Sequence, residues 1–212
     1  MREILEKIYH LLYNTFGEMY WWPGESPFEI IIGAILTQNT AWKNVEKAIE
    51  NLKKEDLLTP ERINKISEQR LAKIIKPSGF YKQKAKKLKE FVNFLFLSYN
   101  GNIKKLFEKE LFSLRGDLLS IKGIGKETAD SILLYALNKP IFVVDAYTKR
   151  VLTRHKLIDE KADYDAIQRL FMENLPKEVK LFNNYHALFV KLGKDICKKI
   201  KPLCDRCPLI KL

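Results

Sequence analysis

The chain has no apolar run approaching the roughly 18 residues that a membrane-spanning helix needs. Residues 1–16 break their apolar pattern with charges, which argues for an amphipathic helix and against a secretory signal. A cytoplasmic protein is expected. Cysteine is scarce: there are three, Cys197, Cys204 and Cys207, all at the C-terminal end. An odd, clustered set in such a compartment points to metal ligation before disulfides. Strand-like sequence is nearly absent. The one candidate, Ile141-Phe142-Val143-Val144, is short and isolated and reads as a buried connector. There is no low-complexity stretch and no long linker.

What is present is helical periodicity. Ile4, Leu5, Ile8, Leu11 and Leu12 form one apolar stripe. Phe28, Ile31, Ile32, Ile35 and Leu36 form another, and Leu88, Phe91, Val92 and Leu95 a third. Ala129, Ile132, Leu133, Ala136 and Leu137 follow, then Tyr185, Leu188, Phe189 and Leu192. Each repeats at i, i+3, i+4 and i+7, the spacing of a helix that buries one face. Ser26-Pro27-Phe28-Glu29 supplies a cap, a proline at the first helical position and a glutamate three residues after the cap. The predicted fold is all-α. The charge balance, 38 Lys and Arg against 26 Asp and Glu for a net +12, favours a polyanionic partner. Nucleic acid or an anionic membrane surface would satisfy it.

Between two helical patterns lies Leu118-Leu119-Ser120-Ile121-Lys122-Gly123-Ile124-Gly125-Lys126-Glu127-Thr128-Ala129. Glycines spaced by one apolar residue permit a tight turn and close backbone approach. Amides at the start of the following helix then point outward and, with the helix dipole, suit a phosphate oxygen. Lys122 and Lys126 add charge, and Ile121 and Ile124 would pin the hairpin to the core. Such a contact fixes register on DNA without reading sequence. Asp145 follows a buried run and precedes a helical pattern, so by itself it reads as a helix N-cap.

These segments, with Leu36-Thr37-Gln38-Asn39-Thr40, Gly79-Phe80-Tyr81-Lys82-Gln83-Lys84-Ala85, Val144-Asp145-Ala146-Tyr147 and the terminal cysteines, resemble the helix-hairpin-helix DNA glycosylases related to endonuclease III. The resemblance covers nearly the whole chain. It implies two all-α lobes with a DNA cleft between them, one lobe over 22–135 and the other over 1–21 plus 136–212. It implies that Asp145 is the catalytic carboxylate. Nicking members of the family carry a Schiff-base lysine two residues after the second hairpin glycine, where this chain has Glu127. The adjacent Lys126 is rotated by roughly 100° around the helix and is expected to face phosphate. A monofunctional enzyme using water follows, with Glu127 either in the pocket network or simply exposed.

Trp21, Trp22 and Trp42 are the only tryptophans. Any one of them reads as core. Together they suit stacking of an extruded base, and electron-rich rings attract N-alkylated, positively charged purines. The resemblance is nearest to the 3-methyladenine glycosylases of the endonuclease III group, whose paired aromatics match Trp22 and Trp42 and sandwich the base. Gln38 matches the side chain that fills the hole left by the flipped base, and Phe80 a second, apolar wedge. Lys82, Lys84, Lys86, Lys87 and Lys89 are expected to face phosphates or to solvate their helix.

The cysteine spacing matches the first three ligands of the family's iron–sulfur loop, and the sequence ends at Leu212 before the fourth is reached. A [4Fe-4S] cluster with a structural role, holding Lys198, Lys199, Lys201 and Arg206 against DNA, is the expectation; zinc is the chemical alternative. The expected activity is release of an alkylated, 3-methyladenine-type purine from duplex DNA by a nucleoid-associated monomer. Oxidised pyrimidines or mismatched bases are the enzymatic alternative, and a non-enzymatic DNA-binding module is the other.

Overall fold

The apolar stripes become helices along the whole chain. In this computed structural model, which describes residues 1–19 and 21–212, the order is α1 (Arg2–Phe16), α2 (Pro27–Leu36), α3 (Trp42–Lys54), α4 (Pro60–Lys65), α5 (Glu68–Ile74), α6 (Tyr81–Tyr99), α7 (Lys104–Glu108), α8 (Leu111–Ser120), α9 (Lys126–Ser131), α10 (Ala146–Arg154), α11 (Tyr164–Asn174) and α12 (Val179–Asp195). No strand occurs among the described residues, and no helix among them is long and apolar enough to cross a membrane. The chain divides into two compact units, Met1–Trp21 with Lys139–Leu212, and Trp22–Asn138.

In the unit Trp22–Asn138, α2 is apolar almost all round and becomes the central helix, packed against α3, α6 and α9. Its start is fixed locally. The Ser26 hydroxyl accepts from the Glu29 amide at 3.2 Å, with Pro27 in the first turn. The Glu29 carboxylate reaches one residue further back than a capping box requires, accepting from the Glu25 amide at 3.2 Å. It also pairs with Lys53 at 3.0 Å. The hairpin joins α8 to α9, and Ile121 and Ile124 are both buried beneath it. Asp130, fully buried on α9, receives Arg115 of α8 through Nε at 2.7 Å and Nη2 at 3.1 Å. This two-pronged contact ties the arms of the hairpin together.

After Ser131 the helix widens. Leu137 N–H donates to Ile132 O at 3.1 Å, five residues back, so Ile132–Ala136 form a π turn in which every residue is buried. The sequence predicts an ordinary helix here, because the stripe through Ala129 and Leu137 fits a period of 3.6.

In the unit formed by the two chain ends, α12 is the buried axis, contacting α1 and α10. Its core is aromatic: Phe142 stacks on Phe171 at 3.7 Å between centroids, and Tyr185 stacks on Phe189 at 5.0 Å. The strand-like run 141–144 is an extended, buried connector. Its polar groups find side chains instead of a sheet partner: Gln168 donates to Phe142 O at 2.7 Å, and Val144 N–H donates to the Tyr164 hydroxyl at 3.4 Å.

Candidate active site

Asp145 caps α10. Its Oδ1 accepts from the Thr148 amide at 2.7 Å, and its Oδ2 lies 3.6 Å from Nε2 of buried His186 on α12. The side chain is 10% exposed. Burial alone would push the carboxyl up. The facing His186 and the Thr148 contacts outweigh it, so the carboxyl is held below its ordinary value and is ionised at neutral pH. The pairing is possible because α10 and α12 approach closely at Gly193. A Cβ there would meet the Tyr147 ring at 2.4 Å. Arg150 reinforces the approach, lying over the Tyr147 ring at 5.0 Å and donating to Gly193 O at 2.8 Å. His186 was not legible as a site residue: on an apolar helix face it reads as core.

The aromatic residues divide between the units. Trp21 belongs with the chain ends, where Lys194 lies over its ring at 5.8 Å. Trp22 and Trp42 meet in the other unit. Their rings are 5.3 Å apart at 73°, edge to face, so they do not stand as parallel walls. The parallel partner of Trp22 is Tyr135 of the π turn, at 4.8 Å and 24°. Gly33 of α2 underlies both indoles, a Cβ there meeting Trp22 at 3.3 Å and Trp42 at 3.6 Å. Trp22 is held at φ 86°, a backbone region that bulky residues rarely adopt. Tyr135 escaped the sequence reading because it lies inside an apolar run, where a ring reads as core.

Lys122, Gly123, Gly125, Lys126 and Glu127 are all exposed on the hairpin. Gly123 has φ 93°, so the turn favours glycine, and a Cβ there would meet the Lys87 side chain at 2.7 Å and push it aside. Gln38 follows α2 and donates from Nε2 to the Thr128 hydroxyl at 2.8 Å and to Gly123 O at 3.4 Å, while its Oε1 accepts from Lys87. Phe80 is 63% exposed.

Two lysines expected at phosphates are elsewhere. Lys84 is buried and donates to Leu36 O and Ser78 O, both at 2.7 Å. Lys89 closes the end of α4, donating to Ile63 O, Asn64 O and Ile66 O. Both satisfy carbonyls that the helix and turn ends cannot satisfy themselves. Lys82 and Lys86 remain exposed.

The cysteine loop is anchored by α10. Arg154 donates to Cys197 Sγ at 3.2 Å, to Lys198 O at 2.7 Å and to Lys199 O at 3.0 Å. Cys197 and Cys207 are buried and Cys204 is exposed. Burial pushes the Cys207 thiol up, and the neighbouring Cys197 and Cys204 add to this. Among the described residues no three His, Cys, Asp or Glu side chains form a group that would hold a metal ion.

Comparison with known proteins agrees with this fold. Residues 32–177 match the HhH-GPD superfamily of base excision DNA repair proteins. A provisionally named DNA repair glycosylase of Methanocaldococcus jannaschii is 51% identical over 209 residues, 98% of this chain and 94% of that protein. Endonuclease III of Thermotoga maritima is 30% identical over 181 residues, 85% of this chain and 79% of that one. Among solved structures, the H. pylori 3-methyladenine DNA glycosylase bound to 1,N6-ethenoadenine is 32% identical with a TM-score of 0.75, covering 91% of this chain and 96% of that one. A non-covalent endonuclease III–DNA complex shares the fold at a TM-score of 0.85 and 23% identity, covering 99% of this chain and 94% of that one. The chain belongs to the HhH-GPD superfamily, as a base excision repair DNA glycosylase of the endonuclease III group.

Proposed function

We propose that this glycosylase is monofunctional and releases an alkylated purine of the 3-methyladenine type from duplex DNA, with water as the nucleophile. The observation that carries the reading is the aromatic group centred on Trp22, an electron-rich indole in contact with Trp42 on one side and with Tyr135 on another. N-alkylation gives a purine positive charge and weakens its glycosidic bond. Ring faces attract that charge, and a base that is already a good leaving group needs no strong general acid. Entry of a planar base requires one indole to turn out of its edge-to-face contact. The likeness to the H. pylori enzyme, whose structure holds an ethenoadenine, supports the same substrate class.

In this reading Asp145 is the catalytic residue. As the C1′–N bond breaks, its electron pair goes to the base and neutralises it, and positive charge develops on the sugar. The ionised Asp145 carboxylate stabilises that charge and takes the proton of the attacking water. His186 and the Thr148 amide keep the carboxylate ionised and oriented. A carboxylate at Glu127 forms no imine, so strand nicking is weak or absent. Lys122, Lys126 and the backbone at Gly123 and Gly125 hold a phosphate, Phe80 wedges the stack, and Gln38 faces the orphaned base.

The test is base release from alkylated duplex by wild type and Asp145→Asn, followed by alkali. Free 3-methyladenine, breaks only after alkali, and loss of release by roughly a thousand-fold or more in the variant are expected. No release from alkylated DNA sinks the substrate assignment, and thymine-glycol and mismatch duplexes then identify the base. Breaks without alkali sink the monofunctional assignment. A [4Fe-4S] cluster on Cys197, Cys204 and Cys207 rests on spacing alone. Iron content and broad absorbance near ~400 nm decide it; absence of both sinks the cluster.

A further inference from the structure

Two loops of the Trp22–Asn138 unit carry the side chains assigned to the duplex. One follows α2 and holds Gln38. The other precedes α6 and holds Phe80. Each loop has a left-handed residue, Asn39 at φ 52° and Phe80 at φ 45°. Each therefore stores a small backbone strain that the surroundings must maintain. The group lying between them is Lys84. It is 2% exposed, and its Nζ donates at 2.7 Å to Leu36 O, two residues before Gln38, and at 2.7 Å to Ser78 O, two residues before Phe80. Burying an ammonium is costly, and a neutral side chain would fill the same space without that cost. The cost is visible as an amine pushed down to about 8 by burial, with Lys87 adding to the shift.

We propose that Lys84 is a positioning residue that clips the Gln38 and Phe80 loops to each other, so that the two side chains enter the duplex as one unit. Gln38 extends the clip to the hairpin through Thr128 and Gly123 O. The inference rests on the reading that Gln38 and Phe80 enter DNA, and it concerns base extrusion, not bond cleavage. Its consequence is that loss of the ammonium uncouples extrusion from phosphate binding.

The test uses the full chain and a duplex carrying 2-aminopurine beside a tetrahydrofuran abasic analogue, where a rise in fluorescence reads unstacking. Lys84→Met is expected to slow unstacking by roughly ten-fold, as a small misplacement of a positioned group does. Affinity for undamaged duplex should stay within about two-fold, because the phosphate contacts are retained. Combined with Phe80→Ala, Lys84→Met should add no further loss, since both act on one step. If Lys84→Met does not fold, Lys84→Gln, whose amide is one bond too short to bridge Leu36 O and Ser78 O, is read in its place with the same expected loss. A variant that melts earlier but unstacks at the wild-type rate overturns the proposal and leaves Lys84 a core residue. Unchanged unstacking in both Gln38→Ala and Phe80→Ala overturns the reading beneath it, and the proposal with it. Loss in those two but not in the Lys84 variants overturns the proposal alone.

Discussion

At Asp145 one carboxylate serves a local and a chemical purpose, and the two separate experimentally. Asparagine caps a helix about as well as aspartate, so Asp145→Asn preserves the start of α10 and removes only the charge facing His186. Because the folded carboxyl lies below its ordinary value, ionisation favours the folded state at neutral pH. That contribution is complete above the usual carboxylate range and is lost as pH falls through the depressed value. Wild type should therefore exceed Asp145→Asn in urea midpoint at about pH 7, and the gap should shrink progressively as pH falls below the usual carboxylate range. A gap that does not change with pH would mean His186 does not act on the carboxylate. Asp145→Ala should lose about 1 kcal/mol more than Asp145→Asn, since it removes the cap as well.

The residue scale is also where sequence was least informative. Lys82, Lys84, Lys86, Lys87 and Lys89 look alike in one dimension, and tertiary packing alone sends Lys84 inward and Lys89 onto α4. His186 and Tyr135 lie within apolar runs, and nothing in such a run marks a polar tip that meets a carboxylate or a ring that stacks on Trp22.

Elements were more legible. The stripes, the Ser26 cap and the buried Ile121 and Ile124 of the hairpin follow from periodicity and turn chemistry. The π turn does not, because its apolar spacing also fits an α-helix. Two element-level predictions follow from the geometry. Asp130 is fully buried and paired with Arg115. Asp130→Ala leaves a partly buried guanidinium without its carboxylate and should cost roughly 3–5 kcal/mol in denaturant unfolding; a cost below about 1 kcal/mol would show that the hairpin arms hold without the pair. Phe80, exposed and left-handed at the entry to α6, has the opposite character. Phe80→Gly gives up little buried surface and relieves the strain, so stability should rise by up to about 1 kcal/mol while base extrusion falls. A destabilised variant would show that the ring contributes to folding.

For the whole molecule, net charge of +12 makes duplex affinity depend on salt through released counterions. Lys122→Ala should weaken binding to damaged and undamaged duplex alike and lower the slope of log K against log salt by about 0.9. A loss confined to one sequence would mean that the hairpin reads bases. The division of the chain has a further consequence, one of timing. Helix α1 belongs with α12: the Tyr185 hydroxyl donates to Leu5 O across 180 residues, and Met19 N–H donates to Asn184. The Trp22–Asn138 unit is synthesised in full between them. At about 5–20 residues per second, the apolar face of α1, with Leu5, Ile8 and Leu12, waits roughly 10–35 s on the ribosome for its partner. An early-born helix held open that long keeps its apolar face exposed until α12 is made.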